Sequence, residues 1–338
     1  MYKSKAPLRL GLAGGGTDVS PYSDEQGGAV LNATINLYAY ATIVERTDGK
    51  IVFNAEDRSE AFECDTTAQI EINGILDLQK GVYNRIVKEF TKKPLSFELV
   101  TSSDAPAGSG LGTSSTIVVA MIGAFKEWLK LDLNQAEIAK LAYKIEREDL
   151  AMAGGKQDQY AATYGGVNFM EFTAGNVSVS PVDIDLETIT ELENNLVLYN
   201  TATSRVSAEI IKDQTDNIVK NRTTSVDAMN KIKEQALLMQ DVLSNGNTDG
   251  IAAILAEGWE NKKQLASAIT NNQLDKVYEA AINAGATGGK ISGAGGGGFF
   301  FFYCPKGTKE NVLDVLRKIG GRIRTYQFTN NGLTTWAE

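Results

Sequence analysis

Residues 106–116 read Pro-Ala-Gly-Ser-Gly-Leu-Gly-Thr-Ser-Ser-Thr, and the fold is inferred outward from this stretch. Before it, Leu95, Phe97 and Leu99 alternate with polar residues, a pattern typical of a half-buried strand. After it, the apolar run 114–129 has the length and composition of a helix. The stretch is therefore predicted to be a glycine-rich loop that leads from a strand into a helix N-terminus.

Such a loop is well suited to bind phosphate. A helix N-terminus offers unpaired N–H groups and a partial positive charge, and glycine lets the backbone approach a ligand closely. Serine and threonine hydroxyls can bond phosphate oxygens or Mg²⁺. The alternative is a turn in which Ser114 only caps the helix. The predicted phosphate-binding residues are Pro106, Gly108, Ser109, Gly110, Leu111, Gly112, Thr113, Ser114 and Ser115.

Two further glycine-rich stretches can face a ligand. Residues 7–18 read Pro-Leu-Arg-Leu-Gly-Leu-Ala-Gly-Gly-Gly-Thr-Asp, with Arg9 able to stabilise an anion and Asp18 able to accept hydrogen bonds from substrate hydroxyls. The alternative is an edge-strand arginine and an aspartate that caps a turn. Residues 290–298 read Lys-Ile-Ser-Gly-Ala-Gly-Gly-Gly-Gly, and so many glycines are too costly in entropy for a plain turn. Stretch 290–298 is therefore also predicted to approach a ligand.

Composition narrows the chemistry. The 338 residues include no histidine, which excludes His-based triads and a histidine general base. Phosphoryl transfer, which depends on positioning and charge stabilisation, is therefore favoured. The net charge of −9 argues against nucleic acid or a membrane surface as a partner. Two distant cysteines and the lack of a leader or membrane-spanning pattern predict a cytoplasmic protein.

Two acidic residues are candidates for catalysis. Glu146 lies beside the apolar stripe of a helix predicted over 134–153, although it could simply belong to a solvated run of charges. Asp158 follows Gly154 and Gly155, which are predicted to end that helix. In a chain without histidine, a loop-borne aspartate can act as a general base, while an N-cap is the alternative for Asp158.

The order of elements divides the chain into two units. Strands and helices are mixed up to about residue 185, whereas long helical stretches follow and then a strand, a helix and a final strand. This pattern predicts an α+β sandwich in the second half. The predicted domains are residues 1–185 and 186–338.

In their order along the chain, stretches 7–18, 106–116 and 290–298 resemble motifs 1, 2 and 3 of the GHMP kinases. The ending Gly-Gly-Gly-Thr-Asp at 14–18, with residues 154–166, is similar to the branch of fucokinases and heptose kinases. The resemblance implies the GHMP kinase fold, of α+β class. Its N-terminal domain would be like ribosomal protein S5 domain 2 and would bind ATP, its C-terminal domain would be ferredoxin-like, and the site would lie between them.

The resemblance also implies the site's chemistry. ATP with Mg²⁺ would be the donor, Asp158 would be the catalytic aspartate, and Arg9 would be the cation that pairs with it. The implied metal ligands are Ser114, Ser115 and Glu146. The implied substrate residues are Gly15, Gly16, Thr17, Asp18, Gly293 and Gly295. Two cations, Lys156 and Arg205, are further substrate candidates that the resemblance does not supply. Lys156 and Arg205 are included for a phosphate already on the substrate, and for each the alternative is a solvated surface charge.

The expected partner is a small-molecule sugar phosphate; a homodimer is possible, but the sequence does not give the oligomeric state. The resemblance implies phosphorylation of the anomeric C1 hydroxyl of a heptose 7-phosphate. A kinase of an unphosphorylated sugar such as L-fucose is an alternative. A non-catalytic sugar and nucleotide sensor on the same fold is another, but retention of Asp158, Arg9 and the Ser114–Ser115 pair argues against it.

Overall fold

The computed structural model describes residues 1–202, 207–220 and 223–338. Its strands form an eight-stranded sheet and a four-stranded sheet. The strands are β1 (Tyr2–Ala13), β2 (Gly28–Glu45), β3 (Lys50–Ala55), β4 (Glu60–Asp65), β5 (Phe97–Ser103), β6 (Val167–Thr173), β7 (Asn176–Pro181), β8 (Leu196–Asn200), β9 (Gly288–Ile291), β10 (Phe299–Tyr303), β11 (Arg322–Arg324) and β12 (Thr334–Ala337).

Helices connect these strands, and four short segments have other helical geometries. The helices are α1 (Tyr22–Glu25), α2 (Asp77–Ile86), α3 (Thr113–Leu129), α4 (Gln135–Lys144), α5 (Gln157–Tyr164), α6 (Leu186–Asn195), α7 (Ser207–Val219), α8 (Thr223–Ser244), α9 (Thr248–Lys263), α10 (Asn272–Asn283) and α11 (Lys309–Ile319). Glu56–Arg58 and Ser267–Ile269 are 3₁₀-helical, while Val87–Thr91 and Ile145–Asp149 are π-helical. Within the described ranges, no helix is both long enough and apolar enough to span a membrane.

The first sheet has the strand order β12-β1-β2-β5-β3-β4, with β6 on β2 and β7 on β6. β2 is long enough to pair twice: residues 28–33 pair with β6, and residues 39–45 pair with β5. The mostly buried helix α3 packs on β1 and β2. This arrangement brings the start of α3 to the end of β1, where the first glycine run begins.

The second sheet has the order β11-β8-β10-β9, and all its pairs are antiparallel. Every residue of β10 is buried because the strand serves two cores. Phe299, Phe301 and Tyr303 belong to a hydrophobic cluster that also contains residues of β1, β2, α8 and α9. Phe300 and Phe302 belong to a second cluster, formed mainly by helices of the second half. Alternate side chains of a strand point to opposite faces, so this one strand contributes to both clusters.

The mixed helix-and-strand fold predicted from the sequence is confirmed, with two differences. The helix predicted over 134–153 is α-helical only to Lys144 and continues as the π-helical turn, after which Ala151 has a φ of +50°. Gly154 and Gly155 therefore do not end it. The last strand, β12, pairs with β1, so the end of the predicted C-terminal unit lies in the first sheet. The division between residues 185 and 186 stays a prediction.

Candidate active site

A cavity of about 1080 Å³ receives residues from all three glycine-rich stretches. The end of β1, the β5–α3 loop, the turn after α4, the start of α5, helix α7 and the β9–β10 loop all line it. This opening therefore lies where the sequence motifs meet. A cleft of this size accommodates a small-molecule ligand.

The β5–α3 loop has the backbone needed to present N–H groups. Gly112 is the residue before α3, has a φ of +80°, and no side chain caps the helix start. A Cβ on Gly110 would lie 2.2 Å from the carbonyl oxygen of Ser292, so this position requires glycine. The first N–H groups of α3 are left for a ligand, as expected for an anion-binding turn.

Six of the nine predicted phosphate-binding residues line the cavity, together with Ala107, which sequence analysis missed. The six are Gly108, Gly110, Gly112, Thr113, Ser114 and Ser115. Pro106, Ser109 and Leu111 do not line it. Leu111 is fully buried in a hydrophobic core, and the Ser109 hydroxyl lies 3.0 Å from that of Thr113. The side chains of Leu111 and Ser109 pack away from the opening and support the shape of the loop.

Arg9 and Asp158 form an ion pair on the cavity wall. Arg9 is 4% exposed, and its Nε and Nη2 lie 2.8 and 2.7 Å from Oδ1 of Asp158. Arg9 Nη1 also donates to the carbonyl oxygen of Gly110 and, at 3.2 Å, to Ser292 Oγ. In residues 1–202, 207–220 and 223–338, Oδ2 of Asp158 has no hydrogen-bond partner. This oxygen is therefore available to a ligand.

A second acidic residue of the cavity, Glu146, lies beside the β5–α3 loop. Glu146 is 1% exposed, accepts a 3.0 Å hydrogen bond from Ser115 Oγ, and accepts another from Gln159 Nε2. Arg147 is 3.8 Å from the carboxylate. Burial raises the pKa of Glu146, although Arg147 and the two hydrogen bonds oppose the shift. Gln159, which sequence analysis missed, leaves its Oε1 buried without a partner in the described structure.

Asp18 lines the cavity, but its carboxylate also serves the protein. It accepts hydrogen bonds from the backbone nitrogens of Lys156 and Gln157 at 2.9 and 3.0 Å. Gly16 N and Gln157 Nε2 donate to its other oxygen. Asp18 therefore ties the first glycine run to the start of α5, the helix that carries Asp158.

The remaining predicted substrate residues separate into two groups. Gly15, Gly16 and Gly293 line the cavity. Thr17, Lys156 and Gly295 do not. Thr17 hydrogen bonds to backbone oxygens of Gly14 and Ala29, and Gly295 packs against Ile269. Arg205 lies outside the described residues.

Lys156 differs from its sequence-based interpretation for a simple reason. Its Nζ lies 2.8 Å from Asp24 Oδ1 and 3.4 Å from Ser23 Oγ. Lys156 is buried but Asp24 is exposed, so neither alternative considered for the lysine, a solvated charge or a substrate contact, describes this pair. A lysine is long enough to reach a partner that is distant in sequence, and local sequence does not reveal which one.

Two buried lysines in the cavity wall were not predicted as site residues. Lys262 lies at the end of α9, and Lys290 lies on β9 at the start of the third glycine-rich stretch. Lys290 could have been found from its place in that stretch. Lys262 has no motif around it, and only the packing of α9 on β9 brings it to the site.

Comparison with known proteins agrees with this architecture. Residues 77–166 match the GHMP kinases N terminal domain, and residues 238–321 match the GHMP kinases C terminal domain. The chain is 47% identical over 335 residues to D-glycero-alpha-D-manno-heptose 7-phosphate kinase of Campylobacter jejuni, covering 99% of this chain and 98% of that protein.

Solved structures give the same result. A D-glycero-D-manno-heptose 1-phosphate kinase from Bacteroides thetaiotaomicron has a TM-score of 0.86 and 44% identity, covering 100% of this chain and 99% of that one. Galactokinase of Lactococcus lactis, at 18% identity, shares the fold with a TM-score of 0.77, covering 98% and 94% of the two chains. Both domains are matched, and the glycine-rich β5–α3 loop, the Arg9–Asp158 pair and the buried Glu146 face one cavity; this chain belongs to the GHMP kinase family and is a phosphotransferase that uses ATP and has an alcohol group as acceptor.

Proposed function

We propose that this chain transfers the γ-phosphoryl group of ATP to the anomeric C1 hydroxyl of D-glycero-D-manno-heptose 7-phosphate, giving the 1,7-bisphosphate. Such a product would supply the synthesis of nucleotide-activated heptose. The observation that carries the chemistry is the free Oδ2 of Asp158, which faces the same cavity as the N-terminus of α3. An acceptor hydroxyl at Asp158 and a triphosphate at the loop would share one opening.

The step balances with the groups at hand. The C1 oxygen bonds to the γ-phosphorus while the bond from that phosphorus to the ADP oxygen breaks. The proton of the C1 hydroxyl passes to Asp158, whose other oxygen is held by Arg9. The backbone N–H groups at the start of α3 stabilise negative charge on the transferring oxygens.

Mg²⁺ fits the acidic side of the site. Glu146 is a buried carboxylate that receives two neutral hydrogen bonds, with its cation, Arg147, 3.8 Å away. A buried charge compensated this weakly suits a second cation. Glu146 and the hydroxyls of Ser114 and Ser115 would hold the ion, and when bound it would neutralise charge on the phosphates of ATP.

The acceptor is inferred from the relatives. The Campylobacter and Bacteroides proteins are both named for a manno-heptose that already carries a phosphate, at position 7 in one name and at position 1 in the other. A phosphorylated heptose is therefore the proposed substrate class. The runner-up is an unphosphorylated sugar such as L-fucose, since a bifunctional L-fucokinase of Bacteroides fragilis is 26% identical over 86% of this chain.

A coupled assay of ADP release over five acceptors tests the proposal. The panel is heptose 7-phosphate, mannose, fucose, galactose and mevalonate. We expect the highest kcat/KM with heptose 7-phosphate and phosphorus NMR of the product to place the new phosphate on C1. Equal kcat/KM for fucose and heptose 7-phosphate, or a phosphate at another position, would contradict it.

A further inference from the structure

Two lysines share the wall of the cavity near the glycine run of β1. Lys262 is 4% exposed and Lys290 is 6% exposed, and both line the central cavity. Both also line a small recess between residues 12–15 and the helices α8 and α9. No residue of the β5–α3 loop lines this recess. The lysines therefore belong to the side of the cavity formed by the first glycine run.

Neither ammonium group has a carboxylate partner in the part of the chain that the structure describes. Lys262 Nζ donates to the carbonyl oxygen of Gly293, and Lys290 Nζ donates to that of Leu12 at 3.5 Å. An ammonium group has three donors, so each lysine retains capacity for further hydrogen bonds. Both lysines line the cavity, and in the described residues neither ammonium group is paired with a carboxylate.

The nearby carboxylates offset this charge only in part, since Asp18 acts to raise the pKa of Lys262 but forms no ion pair with it in the described residues. Asp158 is paired with Arg9, and Asp18 already accepts four hydrogen bonds from N–H groups. Burial lowers the pKa of Lys262 to about 8 and that of Lys290 well below its usual value, and neighbouring positive charges add to both shifts. Burial of two lysines without a paired carboxylate destabilises their charged forms. A bound anion would offset this destabilisation.

We propose that Lys262 and Lys290 form the subsite for the phosphate group that the acceptor sugar already carries, as a phosphate monoester. This inference rests on the proposed function, which supplies a phosphorylated acceptor. The other source of the same chemistry is the terminal phosphate of the nucleotide. The recess that both lysines line includes residues 12–15 and no residue of the β5–α3 loop, which favours the acceptor.

The test compares one sugar with and without its phosphate. Lys262→Met and Lys290→Met remove the charge while keeping an unbranched side chain. Lys263→Met is the matched control, since Lys263 follows on the same helix but pairs with Glu260 outside the cavity. ADP release is measured with D-glycero-D-manno-heptose 7-phosphate and with the same heptose unphosphorylated, and KM for ATP is measured in each variant.

We expect the preference for the 7-phosphate, as a ratio of kcat/KM values, to fall at least about tenfold in both variants and to stay within twofold in the control. KM for ATP should change less than twofold. Lys262→Arg, which keeps the charge, should retain most of the preference. It also provides a folded comparison if a methionine variant folds poorly, and each variant is checked by thermal denaturation.

Four results would overturn the subsite. A rise in KM for ATP would assign the lysines to the nucleotide. An equal loss on both sugars would mean that they act only through the structure. A parent enzyme that prefers heptose 7-phosphate and variants that keep that preference would reject the subsite alone. A parent without any preference for the phosphate would instead reject the proposed acceptor, and the subsite with it.

Discussion

A Cβ atom on Gly155 would lie 1.8 Å from Oδ2 of Asp18, so the backbone of one residue and the carboxylate of the other touch with no room for a side chain. The same oxygen accepts hydrogen bonds from the two backbone nitrogens where α5 begins. Because α5 carries Asp158, the contact between Gly155 and Asp18 sets the position of the proposed catalytic carboxylate.

Gly155→Ala should therefore impair catalysis as well as folding. The added methyl group must displace Asp18, and overpacking of this kind costs about 1–3 kcal/mol of unfolding free energy. We expect kcat to fall at least about tenfold, since small misplacements of reacting groups are costly. Chemical denaturation and ADP release measure the two effects.

The control for this variant is Gly175→Ala, in the turn between β6 and β7. Gly175 has a φ of +77° and open space around it, so the substitution costs only the left-handed backbone, about 1–2 kcal/mol. Its kcat should equal that of the parent. A Gly155→Ala enzyme with parental kcat would contradict the positioning role of the contact.

Asp158→Asn tests the proton acceptor. The amide can keep a contact with Arg9 but cannot take up a proton, so we expect kcat to fall by about 10²–10⁴-fold. KM for ATP should change little. Asp314→Asn, which removes a carboxylate from an exposed pair with Arg317, is the control and should leave kcat unchanged. A loss of less than tenfold would mean that Asp158 only positions the acceptor.

Glu146→Gln should weaken the response to Mg²⁺ without unfolding the protein. The concentration of free Mg²⁺ that gives half-maximal rate should rise at least about tenfold, because a carboxylate ligand is lost. An unchanged Mg²⁺ response would contradict the proposed metal site.

The same variant should raise the melting temperature at pH 7. Burial raises the pKa of Glu146, so its ionised form disfavours the folded state, and stability is lost as pH rises through the folded-state pKa. Glutamine carries no charge and avoids this loss. The difference from the parent should shrink at a pH below the ordinary glutamate value of 4.5, where the carboxyl is protonated in both states. Thermal scans at the two pH values measure it.

The backbone features of this site could be predicted from sequence, because glycine spacing and helix starts are local. The loop before Thr113 and the grouping of Arg9 with Asp158 follow from motifs. Side-chain partners could not be predicted in the same way. Three of the four N–H groups that donate to Asp18 lie more than a hundred residues away in sequence, and Lys262 enters the site only because its helix packs on β9.

Lys156→Met separates a structural lysine from a substrate ligand. Burial acts to raise the pKa of Asp24, but hydrogen bonds from Lys156 and Ser20 bring it below the ordinary value of 3.8. Because Asp24 is exposed, we expect the variant to lose only about 0.5–1 kcal/mol of unfolding free energy at pH 7. KM for the phosphorylated acceptor should stay within about twofold of the parent.

This loss should depend on pH. A lowered carboxyl pKa contributes stability above the unfolded-state pKa, and the contribution disappears as pH falls through the folded-state pKa. Denaturation of Lys156→Met and the parent should therefore converge in acid. A KM for the acceptor raised tenfold, with stability unchanged, would instead return Lys156 to the substrate site.

The pH dependence of kcat/KM in the parent enzyme should report the ionisation of Lys262. Burial lowers the pKa of this lysine to about 8; the charge of Arg9 adds to the shift, Asp18 opposes it, and Lys290 is the other cation that faces it. A lysine loses its positive charge as pH rises through its pKa, and kcat/KM reflects ionisation of the free enzyme. We expect kcat/KM for the phosphorylated heptose to decline above about pH 8.

The decline should be specific to the phosphate and to this lysine. A phosphate monoester is already a dianion above about pH 7, so the acceptor does not titrate between pH 7 and 9.5. The unphosphorylated heptose should give a flatter profile over that range, and Lys262→Met should lack the alkaline limb on either sugar. Parallel profiles for the parent and Lys262→Met would mean that another group titrates, because a lysine that binds the phosphate must carry its proton to attract it.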